Sequence, residues 1–226
     1  MDSPRSSGIS NFCNTLWFDF FKKTTDTIPS SSSRKIKTIR DYFFEAEWYE
    51  IYNFLEFVAV FYNRYNGLHK KINHILGREL SGYRLIDCII TDITDQQEIE
   101  LLEDALNDGQ FQGATGHLKR ALELFSDRET PDYRNSIKES ISAVESICKV
   151  ITDKPNATLP EALKILKTNN KLHPALKDGF IKLYGYTSNK DGIRHAMLDE
   201  PDITYADAYY FLISCTSFTN YLKTHI

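Results

Sequence analysis

The chain has 226 residues, 42% hydrophobic and 26% charged, enough for one good core or two small ones and too balanced for a disordered, collagenous or rod-like protein. A formal net charge of −4 argues against wholesale coating of nucleic acid or anionic membrane, yet it leaves room for a local basic pocket. No apolar run approaches the roughly 20 residues that span a bilayer, and the longest, Phe57 to Tyr62, predicts no membrane role.

The opening residues, Met1 to Gly8, have no apolar stretch and do not read as a secretion signal. From Phe12 to Lys23 the chain is aromatic and predicts a short helix, followed by a loop from Thr24 to Ser33 with Ile28-Pro29 and four serines. Ile36, Ile39, Tyr42 and Phe43 then fall on one helical side. A second helix is expected from about Glu47, where Trp48, Ile51, Tyr52, Leu55, Val58, Ala59 and Tyr62 repeat at three- and four-residue steps and read as core. Leu68, Ile72, Ile75 and Leu76 continue the helical period towards Leu80. The period changes in Tyr83 to Ile93, which is rich in β-branched residues with Asp87-Cys88 at a turn, and predicts a small hairpin lying across the helices.

Three later helix starts are signposted by a threonine with an acceptor three residues on: Thr94 with Gln97, Thr158 with Glu161, and Thr204 with Asp207. Between them come a helix near Gly116 to Phe125 and a longer one expected to begin at Thr130-Pro131. In the longer helix Ile137, Ile141, Val144, Cys148 and Ile151 form a stripe; in the last helix Ala208, Leu212, Cys215, Thr219 and Leu222 do the same, widened by Phe211 and Phe218. The fold class expected is therefore mostly α with one short β-hairpin near 83–93. The polar, proline-bearing loop Ser126 to Pro131 is the natural seam, giving domains 1–127 and 128–226. Cys13, Cys88, Cys148 and Cys215 are scattered and form no Cys-x-x-Cys pair. Free thiols in apolar surroundings, and a cytoplasmic location, are expected.

Standard catalytic signatures are missing. No Gly-rich phosphate loop or His-Glu-x-x-His occurs, and His69 and His74 are five apart, on different helix faces. His117 and His173 lie near helix starts and suit surface or capping roles. One segment concentrates polar chemistry: Asn189, Lys190, Asp191, Arg194 and His195 within seven residues. Arg beside His suits phosphodiester chemistry, since imidazole exchanges a proton near neutral pH and guanidinium neutralises charge on phosphate oxygens. The same residues also suit a charged helix–helix connector in which Asp191 and Arg194 pair at the surface.

The runs Asp132 to Ser146, His173 to Leu176, Leu183 to Ser188 and Asp191 to Ala196 resemble bacterial abortive-infection proteins of the AbiJ type. Leu16-Trp17, Ile39 to Phe44, Glu47 to Tyr49, Arg78 to Arg84 and Ile93-Thr94 look like one variety of the AbiJ amino-terminal domain. The resemblance implies an antiphage effector with a HEPN-like helical bundle in its carboxy-terminal half. Active HEPN proteins are metal-independent ribonucleases, usually dimers, whose composite site takes from each subunit an Arg and a His with four to six residues between them. His195 matches that histidine. At the arginine position stands Ser188-Asn189-Lys190, with Lys190 the cation at the right spacing, while Arg194 directly precedes His195.

By that resemblance His195, Arg194, Lys190 and Asn189 are the catalytic candidates and Asp191 a supporting one, with no metal or cofactor. Glu145 reads either as an internal polar residue orienting the site or as a helix carboxylate paired with Arg or Lys. The partners implied are RNA and a second copy through the carboxy-terminal half. The competing reading is a catalytically inactive sensor or interaction module docking onto another defence protein, for which the aromatic first half (Trp17, Phe18, Phe43, Phe44, Trp48) offers surface or, more simply, core.

Overall fold

A computed structural model describes residues 4–62, 67–169, 171–188 and 203–224. Among them the secondary structure is helical apart from one two-stranded hairpin, as the sequence predicts. The chain divides into two compact units, residues 1–90 and 91–226.

In the first unit α1 (Pro4–Thr15) runs into a π-helical turn, Leu16–Phe20. This turn brings Leu16 and Trp17 into a small core with Cys13 and Phe54. A 3-10 turn at Thr25–Thr27 leads to α2 (Ser32–Glu45), where the Ser31 hydroxyl accepts from the Arg34 amide at 3.4 Å. No α2 residue is fully buried; Ile39 and Tyr42 lean on the core from one side. Helix α3 (Trp48–Phe61) starts where the Glu50 carboxylate accepts from the Glu47 amide at 2.8 Å. Its stripe is less buried than its period suggests. Phe54 and Ala59 are buried, but Trp48 is 54% exposed, because the ring packs edge-on against Tyr49 and Tyr52 instead of entering the core.

Helix α4 (Leu68–Arg78) follows Gly67, whose φ of 94° favours glycine. The hairpin, β1 (Arg84–Ile86) and β2 (Ile89–Thr91), turns at Asp87 and Cys88 with φ of 45° and 67°, the left-handed pair that a two-residue hairpin turn of matching twist requires. Two side chains fasten it to the helices. Asn73 of α4 donates to the Leu85 carbonyl at 2.9 Å and accepts from the Leu85 amide at 2.7 Å, standing in for a third strand. Glu56 of α3 accepts from the Ile90 amide at 2.7 Å. Beneath lie Ala59, Leu76, Leu85 and Ile90, so the hairpin does lie across helices.

The second unit begins after Ile90, so the polar loop Ser126 to Pro131 joins two helices of one unit and the compact units do not divide there. The reason is in the stripes. On α5 (Gln96–Leu106) and α6 (Gln112–Phe125), Leu102, Ala105, Leu118, Ala121, Leu122 and Phe125 are buried. Helix α7 (Tyr133–Thr152) packs chiefly against α6 and α10 (Tyr205–Lys223), with α8 (Leu159–Thr168) on another side and α9 (Pro174–Ser188) beside α8. Eight α7 residues are buried, among them Ile137, Ile141, Val144 and Cys148 of the expected stripe. Eight are buried on α10, including all seven read from the sequence.

Two helix starts differ from expectation. Asp95, not Thr94, caps α5, its carboxylate accepting from the Gln97 and Glu98 amides at 2.9 and 3.1 Å. Asp132 caps α7, accepting from the Asn135 amide at 2.9 Å, so Pro131 lies outside the helix. In both cases a carboxylate one or two residues on is the stronger acceptor beside the positive end of the helix. Thr158 and Thr204 form the capping boxes foreseen, with Glu161 and Asp207.

Candidate functional site

Helices α9 and α10 flank the polar segment. Helix α9 ends at Ser188 and α10 begins at Tyr205, so Asn189, Lys190, Asp191, Arg194 and His195 fall between them in sequence and lie outside the described residues. The described residues of α9 and α10 line a groove of about 720 Å³. Its apolar side is Leu176, Phe180 and Leu183 of α9 and Phe211 of α10, with the rings of Tyr186 and Phe211 nearly parallel at 5.8 Å. Lys182, Asp207, Tyr210 and Ser214 add polar edges. The Thr204 hydroxyl, and then its amide, hold the Asp207 carboxyl below the usual carboxylate range. A negative group is thereby fixed at the start of α10, where the helix dipole favours it.

Glu145 lies on α7, half-buried. It is one turn before Cys148, whose thiol is pushed up to about 12 by burial and further by the Glu145 charge. That thiol is inert as a nucleophile at neutral pH. Cys13 and Cys215 are also buried, and Cys88 is partly exposed at the hairpin turn; none of the four is in a disulfide.

Other polar pairings escape sequence reading. His117 of α6 and Glu139 of α7 meet at 2.6 Å, Nδ1 to carboxylate, on the partly exposed edge of the α6–α7 seam. The Tyr209 hydroxyl donates to Glu98. Tyr205 and Tyr133 sit beside Asp92, and their phenols are raised by burial and then by that carboxylate's charge. The Asn220 amide group donates to the Leu101 carbonyl at 3.0 Å, and Lys223 pairs with Asp108 at 3.0 Å. These bonds fasten α10 to α5 and to the turn after it, across more than a hundred residues of chain, a separation at which no local pattern signals a partner. His173 does act locally, its Nδ1 accepting from the Ala175 amide at 3.2 Å at the start of α9.

Residues 3–108 match the family model of AbiJ N-terminal domain 4. The chain carries an AbiJ-type amino-terminal domain. The matched stretch, just under half of the chain, runs from α1 through α5. No curated protein and no solved structure matches the chain. Among the described residues, no helix is long and apolar enough to cross a membrane.

Proposed function

We propose that this AbiJ-type protein is an abortive-infection effector that cleaves host or phage RNA without a metal, using the Asn189–His195 segment of a HEPN-like second unit. The observation that carries the reading is the AbiJ-type domain, residues 3–108, followed by helices α6 to α10, the last two of which have an adjoining Arg and His between them in sequence. His195 takes the proton of a ribose 2′-hydroxyl; the oxygen attacks the adjacent phosphorus and the bond to the 5′ oxygen breaks. The products are a 2′,3′-cyclic phosphate and, after protonation, a 5′-hydroxyl. Arg194, helped by Lys190, neutralises charge on the phosphorane-like transition state, and Asn189 positions the phosphate. Asp191 and Glu145 support the site, and a second copy, joined through the carboxy-terminal half, supplies the other half of it.

Purified protein is expected to degrade RNA in the presence of a chelator and to leave cyclic phosphate ends, with His195→Ala abolishing the activity. Cleavage that survives His195→Ala sinks the proposal. Light scattering of the purified chain tests the dimer.

A second reading has its own observation: Lys190 stands where the HEPN pattern has arginine. A non-catalytic module would then dock on another defence protein. Growth arrest would depend on a co-purifying partner and would be unchanged in His195→Ala cells.

A further inference from the structure

We infer that the solvent face of α2, in the amino-terminal unit, is a docking surface for single-stranded RNA. This goes beyond the cleavage reading and does not depend on it.

Helical residues turn by about 100° each, so Ile36, Arg40 and Phe44, four apart, form one shallow row with Lys37 beside it. Ile39 and Tyr42 on the far side pack on the core. Lys35 also faces inward, near enough to Cys13 for its charge to act on that thiol. The outward row is open: Ile36 is 60% exposed and Phe44 73%. Large apolar side chains this exposed, held on a helix with no fully buried residue, indicate a surface that something else covers.

Charge says what covers it. Helix α2 carries Arg34, Lys35, Lys37 and Arg40 over its first turns and Asp41 and Glu45 at its end, in a chain of net charge −4. The Arg40 guanidinium lies over the Phe44 ring, 5.4 Å from its centroid. Lys37 is held at 2.5 Å by Asp41, one turn on. A polyanion therefore complements the first turns of this helix, where Arg34 and Arg40 are the outward cations.

The arrangement of apolar and cationic groups decides between polyanions. A helix lying on a bilayer segregates its apolar side chains from its cations, so that only the former sink into the acyl region. Here Arg40 stands in the row between Ile36 and Phe44, and inserting those two would drag the guanidinium with them. A single strand of RNA accepts the interleaving, its phosphates meeting Arg34 and Arg40, and Lys37 once it leaves Asp41, while unpaired bases stack on Phe44 and the guanidinium plane.

The test uses the full-length chain carrying His195→Ala, so that binding is measured apart from cleavage. Fluorescein-labelled oligouridylate is titrated by anisotropy over a range of salt. The parent chain is expected to bind with a steep salt dependence. Arg34→Glu/Lys37→Glu/Arg40→Glu is expected to bind about tenfold more weakly or worse, its log–log salt slope falling by roughly 0.7 for each phosphate that is no longer neutralised. Phe44→Ala is expected to weaken binding about fivefold with an unchanged salt slope, since stacking carries no counterion release. All four positions are at the surface, and unchanged thermal melts check that the variants fold.

Failure of the parent to bind, or binding by the triple variant equal to the parent's, overturns the inference. So does sedimentation with phosphatidylserine vesicles in place of RNA binding. In the wild-type background, loss of binding in the triple variant with cleavage of a short RNA retained would separate this surface from the cleavage site. Loss of cleavage alone, with binding intact, would strike only at the cleavage reading.

Discussion

The two units of this protein are built on different kinds of core. The second is aliphatic and striped: α7 and α10 each bury eight residues, spaced so that one face of each helix is continuous. The first sets an aromatic, half-covered cluster beside the small aliphatic cluster of its hairpin. Its central cluster has four buried residues, and Phe12, Phe20, Phe21, Tyr42 and Phe57 rest against it only partly covered, with rings meeting edge-on or tilted at 5–6 Å. An aliphatic stripe specifies one packing through shape. A cluster of half-covered rings stabilises through area while leaving side chains at the surface. The unit that spends fewer residues on its interior has more left over for contact with something else.

The largest expected effect breaks that comparison directly. Ile141 is fully buried in the middle of α7, and Ile141→Ala is expected to destabilise the protein by about 2–5 kcal/mol. Ile39→Ala, on the half-covered side of α2, is expected to cost roughly 1 kcal/mol or less, because less area leaves water on folding. Chemical denaturation of both variants measures the gap. Equal losses would show that the aromatic unit is as tightly specified as the aliphatic one.

How far the sequence could be read follows the same division. The stripes of α7 and α10 are visible because helical period and burial coincide, residue for residue. The hairpin is visible because β-branched residues flank an Asp-Cys pair that tolerates left-handed backbone. Trp48 misleads: its spacing matches a core stripe, but an exposed ring on a thin core has the same spacing. The polar loop Ser126 to Pro131 has the composition of a linker, and the helices on its two sides, α6 and α7, pack on each other within one compact unit. At the candidate site, Glu145 lies half-buried on α7, and the Arg194–His195 segment lies outside the described residues. The links from Tyr209 to Glu98 and from Asn220 to Leu101 have no local signature. They depend on which helices become neighbours, and that is settled by packing.

Helix caps sharpen the comparison at a smaller scale. Asp132 accepts from Asn135 at 2.9 Å, whereas Ser31 accepts from Arg34 at a weak 3.4 Å. Asp132→Ala is expected to cost about 1 kcal/mol and Ser31→Ala a few tenths, read as shifts of the denaturation midpoint. Two glycines of α6 give an effect of similar size and opposite sign. A Cβ at Gly116 meets nothing within 4 Å, so Gly116→Ala should stabilise by about 1 kcal/mol through helix propensity. At Gly113 a Cβ would stand 2.5 Å from the Ser146 hydroxyl. Gly113→Ala should therefore show less gain, or a loss, and adding Ser146→Ala should restore it. Identical behaviour of the two glycines would mean that α6 and α7 approach less closely than described.

The smallest expected effect concerns the start of α10. The Thr204 hydroxyl and amide lower the Asp207 pKa on folding. A carboxyl whose folded pKa lies below its unfolded value of about 3.9 adds stability that is complete above that value and is lost as pH falls through the folded one. The melting temperature of wild type minus that of Asp207→Asn should thus be positive and constant near neutrality, then close as the solution is acidified below about pH 4. A gap that persists unchanged into strong acid would mean that the ionised form contributes nothing and that only the shape of the cap matters. Closure would show that a fixed negative charge helps to hold the end of α10 from which the chain runs back towards His195. Removing it should then perturb cleavage only as far as that helix start is loosened.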